Sequence, residues 1–148
     1  MKTEEKQLIL KDLCCRLPYG VKIKTSYDKM DEPIELRFIN PINDSFAIGS
    51  NFTLISGLDF YTYKCKPYLF PLSSMTEEQK IECFRGTDIV LNNYNEIWSK
   101  FSITIDNIII TSIKEWLKVI DYLNANHFDY RGLIEKGLAI DATGLNIY

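Results

Sequence analysis

The sequence has little of what most chemistry needs. It holds one histidine, His127, and four cysteines, Cys14, Cys15, Cys65 and Cys83, none of them in a CxxC. Zinc centres draw on paired Cys or His ligands at short spacing, so no metal and no cofactor is expected. There is no GxxxxGK[ST], GxGxxG, GxSxG or HExxH, which leaves the common phosphate-cradling, dinucleotide, hydrolase and metalloprotease arrangements without a sequence basis. No run of about 18 apolar residues is present, so no membrane span is expected. The start, MKTEEKQLILKDL, puts acids where a secretory signal needs a basic segment. A cytoplasmic chain with reduced thiols is the expectation, its cysteines packing as small hydrophobes.

A basic surplus is missing as well. Lys and Arg number 17 against 20 Asp and Glu, a net charge of −3. Proteins that neutralise phosphates usually carry the opposite balance. The charge is uneven, though. Residues 1–74 carry 10 basic and 9 acidic side chains, and residues 75–148 carry 7 and 11. With 7 Gly and 5 Pro among 148 residues, linker and collagen compositions are excluded. One domain spanning 1–148 is the natural reading at this length.

What is present is a clear change of period along the chain. Residues 4–16 read as an amphipathic helix, with Thr3 as N-cap, Leu8, Ile9, Leu13 and Leu17 near 3.6 spacing, and Pro18 and Gly20 as the stop. From 21 the period drops to two. Val21, Ile23 and Thr25 alternate with Lys22, Lys24 and Ser26. Ile34, Leu36 and Phe38 alternate with Glu35, Arg37 and Ile39. Both are half-buried strand patterns. Residues 46–48, 52–55 and 60–65 add short strands, while Pro67 and Pro71 argue against a regular central strand through Tyr68–Phe70. Helical signals then return. Thr76-Glu77-Glu78-Gln79 and Ser112-Ile113-Lys114-Glu115 are capping boxes. The first helix should end near Gly86. The second should run to about Asn124, with Ile113, Trp116, Leu117, Ile120 and Leu123 inward. A helix over 88–101 and a strand or hairpin over 102–110 are expected between them. Asp129 is placed to cap a last helix over 130–136 closed by Gly137, and the apolar tail 138–148 to dock. The fold class expected is α+β: an N-terminal helix, a small antiparallel β-meander or partly closed barrel over about 21–70, and a helical C-terminal half.

Three segments carry a resemblance: KDLCCRLPYGV from Lys11 to Val21, KPYLFPLSSMT from Lys66 to Thr76, and NHFDYRGLIEKGL from Asn126 to Leu138. Together they resemble a family of small proteins of gut Bacteroidales and their phages and mobile elements, one without an established activity. The resemblance implies a context, that of a phage or mobile element. It carries over no catalytic residues.

Two groups of residues stand out for function. Lys22, Lys24, Arg37, Lys64 and Lys66 lie on expected strands with Tyr19, Tyr27, Tyr61, Tyr63 and Tyr68 among them. Exposed lysines with aromatics on a β-surface are how barrel-type modules hold single strands, and Lys22, Lys24, Arg37, Tyr63 and Lys64 are the candidate nucleic-acid face. The competing reading is a solvated strand face. The second group is His127, Asp129 and Arg131. A Cys–His nucleophile pair with Cys83 or Cys14 is conceivable. Against it stands His127 as a cation on helix-terminal carbonyls, with Asp129 as a cap and Arg131 tying that turn to the preceding helix. The order of expectation is a non-enzymatic accessory factor that binds a protein partner, then a nucleic-acid module, then a small enzyme using His127.

Overall fold

A computed structural model describes residues 3–26, 32–40, 42, 45–49, 54–59, 64–85 and 113–148, and for 54–59 and 113–115 the backbone. The expected elements at 88–101 and 102–110, and Tyr63, lie outside the described residues. Among the described residues the fold is α+β, with a mixed sheet that does not close into a barrel.

Helix α1 spans Thr3–Arg16, with Glu4 and Glu5 in its first turn, where acids complement the helix dipole. Its inward stripe is Ile9, Asp12, Leu13 and Arg16. Two apolar and two charged residues therefore share the helical spacing. Pro18 opens a 3-10 turn, Leu17–Tyr19, that leads into the sheet.

Strands β1 (Lys22–Lys24), β2 (Ile34–Asn40), β3 (Ser45–Gly49) and β4 (Leu54–Asp59) form an antiparallel meander. Val21, Ile23 and Thr25 are buried as their alternation requires. In β2 the alternation fails halfway. Leu36 is buried, but Phe38 is 53% exposed and Ile39 faces the core. The register with β3 shifts between Leu36 and Phe38. One extra residue turns every later side chain to the other face, so Phe38 and Ile39 exchange the positions their spacing predicts.

Strand β5 (Lys66–Pro71) corrects the reading of the two prolines. It lies inside the sheet, whose order is β4-β3-β2-β1-β5-β6, with β7 also pairing to β5. Proline removes a ladder donor, and the strand tolerates two because they sit near its ends, where partners change. Pro67 faces Ile23 of β1 antiparallel. Tyr68 and Leu69 face β7 (Ile140–Asp141), and Phe70 and Pro71 face β6 (Phe128–Asp129), both in parallel. The Phe70 N–H donates to His127 O at 2.9 Å, and Leu69 O accepts from the Ala142 N–H at 2.8 Å.

Helix α2 (Glu77–Cys83) begins with the expected capping box. The Gln79 N–H donates to Thr76 Oγ1, and the Thr76 N–H donates to Gln79 Oε1. Helix α3 (Ile113–Ala125) also matches its pattern, with one correction. Val119 and Leu123 are its buried centre, Trp116 and Ile120 flank them, and Leu117 is 62% exposed. Two positions along a helix is roughly 200° around it, which puts Leu117 opposite Val119.

The expected helix at 130–136 is absent. Residues 130–137 form successive turns. Gly132 has φ +66°, a left-handed conformation that interrupts right-handed helix. The main core lies between α1 and the sheet, with Leu13, Ile23, Leu36, Phe46 and Leu69 at its centre and Leu133 and Leu138 packed in from the turn segment. A second cluster joins α2, α3 and β6 through Met75, Phe84, Val119, Leu123 and Phe128. The tail docks as expected, placing Ile147 against Tyr68 and Ala142.

Candidate functional site

The lysines of the candidate β-face separate into two sets. Lys22 Nζ donates to Ile147 O at 2.6 Å and lies 5.9 Å from the Tyr148 ring centroid. It serves to hold the tail. Arg37 Nη1 pairs with Glu35 Oε1 at 2.9 Å. Of the interleaved tyrosines, Tyr68 is buried in the core and the Tyr19 hydroxyl bonds to the Asp121 carboxylate.

Lys24 and Lys64 do come together, and Lys66 joins them. With Thr25, Ser26 and Ile140 they line a cleft of about 330 Å3 where β1 meets β5. Lys24 and Lys66 are direct partners in the antiparallel register. Like charges directly opposite on neighbouring strands are destabilising, and Lys24 has a further interaction of its own. Lys64 sits in the turn before β5 with φ +45°, a conformation that costs a non-glycine residue on the order of 1 kcal/mol. A second cleft, about 490 Å3, adjoins the first and shares Lys64 and Lys66. Its other lining residues include Glu5, Lys6, Ile9, Cys65 and Leu138. Lys6 and Thr25 were not among the expected site residues. The basic-apolar-basic triplets Lys22-Ile23-Lys24 and Lys64-Cys65-Lys66 were a visible signal, but the register that sets them side by side was not.

His127, Asp129 and Arg131 each make packing, capping or ion-pair contacts within the fold. His127 follows α3 with φ +58° and is buried. Its ring stacks on Tyr148 at 3.8 Å between centroids, with 12° between planes. Burial first, then the Arg16 and Lys22 charges, lowers its pKa to about 4. The ring is therefore neutral near pH 7, and the expected cation on helix carbonyls is corrected. Its Nδ1 is buried with no hydrogen-bond partner. Cys83 packs in the second core, where burial pushes its thiol up to about 12, away from the thiolate a nucleophile requires. Burial raises the Cys14 thiol too. The four cysteines are free.

Asp129 accepts from the Leu133 N–H at 2.9 Å and the Ile134 N–H at 2.8 Å, so it caps a turn where a helix was expected. Arg131 reaches α1 and not the preceding helix. Its Nε lies 3.3 Å from Asp12 Oδ1, outside hydrogen-bond geometry, and Nη2 is 3.6 Å from Cys15 Sγ and 3.0 Å from the Tyr130 hydroxyl. Beneath it Arg16 and Asp12 form a fully buried pair, 2.8 Å from Nε to Oδ2 and 3.1 Å from Nη2 to Oδ1. Arg16 also donates to Leu123 O at 3.4 Å and Phe128 O at 2.7 Å.

No protein-family model, curated protein or solved structure matches this chain. Among the described residues no group of three or more His, Cys, Asp or Glu side chains is placed to hold a metal ion, and no helix is long and apolar enough to cross a membrane.

Proposed function

We propose that this protein is a non-enzymatic binding module whose working face is the lysine-edged cleft between β1 and β5, and that it takes a single-stranded nucleic acid by its phosphates. The observation that carries the reading is the direct pairing of Lys24 with Lys66 at a cleft that Lys64 also lines. Three cations held at one concave place form a local basic site that the net charge of −3 conceals. The family resemblance adds the setting, a phage or mobile element. What supports a binding role over one for His127 is that its ring is stacked and buried and that Asp129 caps the turn segment while Arg131 lies against Asp12.

An accessory role with a protein partner is the second reading. It is favoured by Ile81 on α2 and Leu117 on α3, large apolar side chains exposed on two helices of one core.

Fluorescence anisotropy with a labelled single strand of about 15 nucleotides tests the first reading. About three phosphate contacts predict a slope of log affinity against log salt near −2, a loss of roughly 15-fold between about 50 and about 200 mM salt. The double variant Lys24→Gln/Lys66→Gln should cut the slope to about −1. No binding at the lower salt, or an unchanged slope in the variant, would overturn it.

A further inference from the structure

The second cleft differs in kind from the first. Its floor is the edge of the main core: Ile9, Cys65 and Leu138 are all members of that cluster. Its charged lining is Lys64 and Lys66 together with Glu5 and Lys6, which have interactions of their own. Lys64 and Lys66 take part in none of the ion pairs among the described residues. The wall is open at Gly137, where an added Cβ would meet no atom within 4 Å. A volume of about 490 Å3 falls in the range of small-molecule sites, which are mostly apolar with a few placed polar groups.

We infer that this cleft binds a small amphipathic anion, an aliphatic body with a carboxylate or phosphate-monoester head. The body fills the cleft that Ile9 and Leu138 help to line, and the head meets Lys64 and Lys66. A neutral lipid would bring the lysines no partner charge. None of the described lining residues is aromatic. The inference rests on the proposed function only through those two lysines, which both clefts share.

The test uses the whole chain with 13C-labelled isoleucine and leucine methyls. Octanoate, octyl phosphate, octanol and inorganic phosphate are titrated separately. Saturable shifts of the Ile9 and Leu138 methyls are expected with octanoate or octyl phosphate, at an affinity roughly tenfold or more above that for octanol or inorganic phosphate. The tighter of the two anions identifies the head. Lys64→Gln/Lys66→Gln should weaken binding roughly tenfold with the methyl spectrum of the free protein intact. If neither anion moves those methyls, or octanol binds as tightly, the inference is overturned. Oligonucleotide binding without any effect of the amphiphiles overturns this inference alone. Amphiphile binding without oligonucleotide binding overturns the nucleic-acid reading alone.

Discussion

His127 joins β5 to the tail: its carbonyl accepts from Phe70 and its ring stacks on Tyr148. The charges facing the ring are Arg16 from α1 and Lys22 from β1, and neither favours a proton on it. The folded pKa of about 4 lies below the ordinary value of 6.5, so in the window between them the unfolded chain binds the proton and the folded chain does not. The neutral ring's contribution is complete above about pH 6.5 and is lost as the pH falls toward 4. After allowance for solvent screening the loss is on the order of 2 kcal/mol. Urea unfolding of the wild type and His127→Asn across this range checks it. The variant should show the shallower decline, and equal slopes would refute the assignment. Asparagine tolerates the left-handed backbone of this position. The lone histidine was visible in the sequence. Its neutrality was not, because the charges that act on it, Arg16 and Lys22, stand more than 100 positions away and the ring stacked on it, Tyr148, is brought over only by the docked tail.

Elements were legible where a local signal decides them. The Thr76 box, the stop at Pro18 and the stripe of α3 all depend on neighbours within one or two turns. They went unread where a pairing partner decides. Phe38 points outward because β3 meets β2 with a shifted register. The segment from Pro67 to Pro71 is a strand because distant residues satisfy Leu69 and Phe70. Residues 130–137 have helix-forming composition, but Asp129 draws two successive N–H groups into a turn and Gly132 reverses the chain's hand. Asp129→Ala leaves those donors without an acceptor and should cost about 3 kcal/mol in thermal or chemical unfolding. Asp129→Asn, which keeps one acceptor oxygen, should recover roughly half of that. Equal losses in the two variants would show that the carboxylate does not cap the turn.

Across the whole molecule, the Asp12–Arg16 pair is the tie between the two cores. Arg16 reaches the end of α3 and the start of β6 from α1, over 107 and 112 positions of sequence. Removing one charge from a buried pair strands the other, a loss of roughly 3–5 kcal/mol. Arg16→Ala should fall near the lower figure, because Arg131 stands 3.3 Å from Asp12. Asp12→Leu/Arg16→Met, which strands no charge, should be the more stable of the two in urea unfolding. If the single and double variants unfold alike, the ion pair is not what joins the cores. The α+β class followed from the order of patterns along the chain. The lysine clefts did not, since the strands that build them meet only in the folded sheet.

The position of β5 in the sheet also sets a schedule. Its antiparallel partner, β1, lies about forty residues before it, but its parallel partners at 128–129 and 140–141 come roughly sixty to seventy residues after. A ribosome makes the chain in one direction, so the meander can close early while β5 waits with its later pairings unmade. Contacts of such separation form late, because the loop must close before the pairing repays it. The strand beside the lysine clefts is thus completed only after residue 141 has been synthesised, and both clefts belong to the finished chain.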